Sequence, residues 1–134
     1  MITDDMYQEE ILDLYRNPHN FGVIIDADIK HKDSNPNCGD VIEMNIKVSR
    51  KTIKDIRFNG KGCAISIASA SLLTDYAKSK NLNDITNLKG GDLLNMLGIN
   101  LSPIRVKCAL LSLKVLKFAV CNHLGKTMEE DYDN

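Results

Sequence analysis

At 134 residues, with 43% apolar and 26% charged residues, the chain has the size and composition of one ordinary globular domain. Lys and Arg number 17 against 18 Asp and Glu, a formal net charge of −1, and the basic residues are scattered, so there is no electrostatic case for a nucleic-acid partner. No apolar run approaches the roughly 20 residues that span a bilayer, and residues 1–10 are acidic and unlike a signal peptide, so a cytoplasmic location with reduced thiols is expected.

Met6 to Arg16 reads as an amphipathic helix, with Tyr7, Ile11, Leu14 and Tyr15 at helical spacing and Asp4 and Asp5 at its positive end. Pro18 stops it, because proline disfavours the helical conformation at the residue before it. A strand is expected over 25–31, with Ala27, Ile29 and His31 on one face. Over 41–48, Ile42, Met44, Ile46 and Val48 alternate with Glu43, Asn45 and Lys47, the period of a half-buried antiparallel strand. A turn at Ser49-Arg50-Lys51 leads to a partner strand over 52–59, where Ile56 and Phe58 share a face.

After Gly62 the pattern becomes helical. Residues 64–79 read as one helix, close-packed through Ala64, Ala68 and Ala70, with Ile65, Leu72, Leu73 and Tyr76 supplying bulk. Shorter helices follow over 82–87 and 90–97, with Gly90-Gly91 and Gly98 as breaks. Pro103 then precedes a long apolar helix over about 105–121, with Lys114 and Lys117 on its wet side. Strands first and helices later predict an α+β fold, with helices laid on one face of a small antiparallel sheet.

Three cysteines stand in distinctive segments: Asn35-Pro36-Asn37-Cys38-Gly39-Asp40, Gly60-Lys61-Gly62-Cys63-Ala64-Ile65-Ser66 and Arg105-Val106-Lys107-Cys108. Intervals of 25 and 45 residues match no short zinc-finger or thioredoxin-like pattern, so any shared site must be assembled by the fold. Such a site suits a soft metal ion or an iron–sulfur unit, with Asp40 as a harder fourth ligand. Gly39 permits a sharp turn beside Cys38. A helix N-terminus at Cys63 favours an anionic ligand, and Arg105 and Lys107 bring positive charge that offsets converging thiolates. Plainer readings stand beside these: a strand-linking turn at 35–40, a small buried cysteine at 63, and two solvated cations at 105 and 107. Cys121, in an apolar helix, is expected to fill space. His19, His31 and His123 lie beside no candidate cysteine, and Ser66, Ser69 and Ser71 have no histidine at motif spacing for nucleophilic chemistry.

Together with Tyr15-Arg16-Asn17-Pro18-His19-Asn20-Phe21-Gly22, the segments Asn35 to Asp40, Gly60 to Ser71 and Arg105 to Leu111 resemble, in order and spacing, the iron–sulfur cluster scaffold family of IscU, SufU and NifU N-terminal domains. The resemblance covers nearly the whole chain. It implies one scaffold domain over 1–134 with a three-stranded antiparallel sheet and a solvent-facing site at one end. By position it carries the metal or cluster ligands onto Cys38, Cys63 and Cys108, with Asp40 as ligand or release-controlling neighbour. It further implies a non-enzymatic platform that receives sulfur from a cysteine desulfurase on one of these cysteines, builds a transient [2Fe–2S] cluster and passes it to apo acceptor proteins.

The subtype is mixed. IscU proteins place a histidine directly before the third cysteine, where this chain has Lys107. Arg105-Val106-Lys107-Cys108 and Cys63-Ala64-Ile65-Ser66 resemble SufU proteins more closely, yet the 45-residue interval leaves no room for the insertion SufU proteins carry. A rival expectation is therefore a zinc-dependent sulfurtransferase, with Zn²⁺ on the same four residues. A structural zinc domain is a third reading, and it predicts unfolding on chelation. Leu101-Ser102-Pro103-Ile104-Arg105 only loosely echoes the Leu-Pro-Pro-Val-Lys segment that a chaperone pair recognises in IscU, so an Hsp70-type chaperone is not an expected partner.

Overall fold

The structure, a computed structural model, describes residues 4–36 and 39–127, with backbone alone for 4–7. Its centre is an antiparallel sheet of order β1-β2-β3, formed by Ile29–Asn35, Asp40–Ser49 and Thr52–Lys61. Register follows the apolar alternation of β2: Ile46 lies opposite Ile29 on one side and Ile56 on the other, and Met44 opposite Phe58. Ile42, Met44, Ile46, Ile53, Ile56 and Phe58 are all fully buried, each contributing about 1.5–3 kcal/mol of transfer free energy. The β2–β3 connection has two residues, Arg50 and Lys51, at φ 52° and 64°. This is the left-handed pair that matches the natural twist of a hairpin, here made without glycine or asparagine.

The first strand begins four residues later than the expected 25–31. Ala27 N–H donates to Ile24 O and Val48 N–H to the Asp28 carboxylate, so 24–28 turns across the sheet and pairing starts only at Ile29. Ile25 is 99% exposed, so its apolar character reported no buried face. The strand runs instead into the Asn-Pro segment, ending with Asn35 opposite Asp40.

The helices are α1 (Asp4–Arg16), α2 (Ala64–Ala77), α3 (Leu82–Thr86), α4 (Gly90–Leu97) and α5 (Pro103–Leu124). In α1, Ile11 and Leu14 are buried as expected, but Tyr15 is 45% exposed. Gly90 and Gly91 open α4 rather than break it, because the Asp92 carboxylate accepts the Lys89 N–H and closes the first turn. Pro103 occupies the first turn of α5, the Ser102 hydroxyl accepts from Arg105 N–H, and Gly125 at φ 71° ends the helix. Lys117 departs from the expected wet face. It is buried, with its ammonium donating to Leu88 O at 2.6 Å, whereas Lys114 pairs with Asp33 at 3.3 Å on the surface.

Two apolar clusters result. The larger joins the sheet to α2 through α5; the smaller joins Ile11 and Leu14 of α1 to Ile65, Ala68, Leu97, Cys108 and Ala109. The Tyr15–Gly22 segment anchors α1 to the rest of the chain. Asn20, at φ 61°, donates from Nδ2 to Thr74 Oγ1 and Asp75, and its carbonyl accepts Phe58 N–H. His19 pairs with Asp75 at 2.7 Å. Among the described residues, no helix is long and apolar enough to cross a membrane.

Candidate metal centre

Three chain segments meet at the end of the sheet where β2 begins and β3 finishes. Gly39, at φ 72°, turns the chain into Asp40, the first residue of β2. Beyond β3, Gly62 leads to Cys63, which is extended and caps the N-terminus of α2. Cys108 lies in the second turn of α5. One ligand atom from each of Asp40, Cys63 and Cys108 falls within 4.8 Å of the others. Both cysteines are free thiols.

The carboxylate of Asp40 is only 1% exposed, and a buried charge at this depth must be compensated. Its Oδ1 accepts the Cys63 N–H at 3.0 Å, so it serves α2 as a cap supplied from another element and gains from the helix dipole. Its Oδ2 accepts a hydrogen bond from the Ser66 hydroxyl and lies 3.9 Å from Cys63 Sγ. Ser66 also reaches Cys63 Sγ at 3.5 Å and Cys108 O at 3.3 Å, so one buried hydroxyl touches all three ligand residues. Gly62 permits this approach: a Cβ there would lie 2.6 Å from Asp40 Oδ1.

The donor set fits a metal cargo. Thiolates at about 2.3 Å and a carboxylate at about 2.1 Å around one tetrahedral ion stand roughly 3.5–4 Å apart, which the trio reaches by a small contraction. Two soft sulfurs with one hard oxygen suit zinc or iron. Access is narrower than the expected solvent-facing site, since Asp40 and Cys108 are buried and Cys63 alone of the three is partly open.

Cys38 lies outside the described residues. Arg105 and Lys107 are both exposed beside Cys108, and Lys107 helps line a shallow cavity of about 260 Å³ with Pro36 and Lys114. Cys121 is buried in α5, away from the trio, as expected of a packing residue. His31 stacks on Phe118, with ring centroids 4.7 Å apart. Ser66 and Gly62 are the site residues that reading the sequence missed. The available signal was spacing: Ser66 is three residues past a helix-capping cysteine, the position from which a side chain folds back on the cap.

The match of the NifU-like N-terminal domain family to residues 6–130 shows that the chain belongs to that family. Among its relatives, the zinc-dependent sulfurtransferase SufU of Bacillus subtilis is 33% identical, over 91% of this chain and 94% of that protein. The iron–sulfur cluster assembly scaffold protein IscU of Aquifex aeolicus is 38% identical, over 90% of this chain and 77% of that protein. A solved structure from Fervidobacterium islandicum AW-1, described as an iron–sulfur cluster assembly scaffold protein for the SUF system, superposes with a TM-score of 0.75 at 26% identity, covering 84% of this chain and 94% of its own. The family thus joins scaffolds and a sulfurtransferase on one α+β fold. The Bacillus alignment runs over 139 positions, more than the 134 residues of this chain, so that relative carries residues without counterpart here. The Aquifex alignment runs over 122 positions, and 90% of 134 residues is about 121, so within it that relative carries almost no residues without counterpart here.

Proposed function

We propose that residues 1–134 act as one iron–sulfur cluster assembly scaffold domain that takes sulfur from a cysteine desulfurase, holds a transient [2Fe–2S] cluster on Cys38, Asp40, Cys63 and Cys108, and passes it to apo acceptor proteins in a reducing compartment. The observation that carries this reading is the convergence of Asp40, Cys63 and Cys108 from three separate elements to within 4.8 Å. In the sulfur step a thiolate of the chain attacks the outer sulfur of the desulfurase's persulfide. The new S–S bond forms as the old one breaks, the desulfurase thiolate leaves, and the chain carries the persulfide. Among the described thiols, Cys63 is the better placed for it, being partly open while Cys108 is buried. A carboxylate binds such a cluster more weakly than a thiolate, so the mixed set suits cargo that must leave. Exposed Arg105 and Lys107 add positive charge near the thiolates.

A zinc-dependent sulfurtransferase is the second reading. Two observations favour it: the trio is compact enough for a single ion, and the 33% identical Bacillus relative is matched over nearly its whole length. The alignment with an IscU scaffold, in which that relative carries almost no added residues, weighs for the first reading. Anaerobic purification and incubation with Fe²⁺, cysteine and a cysteine desulfurase separate the two. A scaffold acquires visible absorption and acid-labile sulfide. A colourless product that keeps one tightly bound zinc and strongly stimulates the desulfurase overturns the scaffold reading in favour of the second.

A further inference from the structure

We propose that Ser66 is a positioning residue that holds the Asp40 carboxylate on the N-terminus of α2 and thereby sets how readily Asp40 lets the metal cargo go; this rests on the assembly-site reading above. Ser66 is 1% exposed. Its hydroxyl has one proton to give and three acceptors in reach: Asp40 Oδ2, Cys63 Sγ at 3.5 Å and Cys108 O at 3.3 Å. The bond to Asp40 is charge-assisted and buried, the strongest of these choices.

The carboxylate therefore serves two claimants. Cys63 N–H and Ser66 O–H draw it to the helix, while a metal ion between the two thiolates draws on the same oxygens. Electron density given to the hydroxyl is not given to the ion, and a carboxylate leaving the ion already has a partner waiting. When Asp40 turns toward the ion, the Ser66 proton can turn to Cys108 O or Cys63 Sγ, so the exchange leaves no buried hydroxyl unpaired. Removing the hydroxyl tips the balance to the ion. Ser66→Ala should bind cargo more firmly and release it more slowly, by about tenfold for the loss of one charge-assisted hydrogen bond.

The test uses the full chain under anaerobic conditions with Co²⁺ alone as probe. Thiolate-to-cobalt absorption reports the cysteine ligands, ligand-field bands report the whole donor set, and decay of both after adding excess EDTA gives the release rate. The expected result is slower release and shifted ligand-field bands in Ser66→Ala, with no effect of the same substitution in an Asp40→Ala background. Alanine is the better helix former at position 66 in α2, and far-UV circular dichroism checks that this variant and the Asp40→Ala variant are both folded. Unchanged release in Ser66→Ala, or an equal change with and without Asp40, overturns the proposal while leaving the site intact. Absence of thiolate-to-cobalt absorption in the wild-type chain overturns the site reading itself, and the Ser66 role with it.

Discussion

The two ends of β2 are built on opposite principles. From Ile42 onward the strand contributes to an interior in which Ile42, Met44 and Ile46 meet Ile53, Ile56, Phe58 and the helices, with no titratable side chain needed to hold the contact. At its first residue, two positions earlier, the same strand delivers a buried carboxylate whose described neighbours include a backbone N–H, a hydroxyl and two thiols. Stability is concentrated in the first region and chemistry in the second. The division allows a site to hold and release cargo without the fold depending on it. Among the described residues the larger cluster contains none of the candidate ligands, whereas the smaller one takes in Cys108.

That separation can be broken from either side. Leu113, fully buried in α5, belongs to the stability region; Leu113→Ala should cost about 2–5 kcal/mol in urea unfolding while leaving Co²⁺ affinity of the folded protein unchanged. A matching loss of affinity would mean that the regions are not separable. Gly62→Ala addresses the other side. Its Cβ, 2.6 Å from Asp40 Oδ1, must displace the carboxylate, and metal affinity should fall roughly 10- to 100-fold with little change in the unfolding midpoint. A normal affinity would show that Asp40 does not contribute from where the structure places it.

The smallest effect concerns acid stability on β1. Burial pushes the Asp33 carboxyl up, but the Ser34 N–H and Lys114 outweigh it and hold the group below the usual carboxylate range. A carboxylate so lowered stabilises the fold above its ordinary pKa, and that contribution is lost as pH falls through the lowered value. Asp33→Asn should therefore cost less than about 1 kcal/mol at pH 7, a cost that disappears in strong acid, and should leave metal binding alone. Denaturant midpoints across pH, compared with wild type, measure it.

What could be read from the sequence follows the same line. β2 was legible because a half-buried strand writes its two faces in alternating residues, and the body of α5 because a long apolar run follows Pro103, although the helix runs from Pro103 to Leu124 rather than over 105–121. β1 was displaced because Ile25 is apolar yet solvent-facing, and only pairing with Ile46 shows where the strand starts. Lys117 was placed in water because a lone lysine on an apolar helix usually is, and its carbonyl partner comes from a loop 29 residues away. Cysteine spacing told that a site must be assembled, and the structure brings one ligand atom each of Asp40, Cys63 and Cys108 within 4.8 Å of the others. Ser66 stayed hidden because its significance lies in contacts reaching 26 and 42 residues along the chain.

The central claim is that the cysteines at this end of the sheet, and not the buried Cys121, hold the cargo. Iron and acid-labile sulfide per chain, measured after anaerobic reconstitution with Fe²⁺, cysteine and a cysteine desulfurase, test it most directly across Cys38→Ser, Cys63→Ser, Cys108→Ser and Cys121→Ser. Each of the first three variants should lose most of the cluster, while Cys121→Ser should assemble it like wild type. Normal assembly in all of the first three, or its loss only in Cys121→Ser, would contradict it.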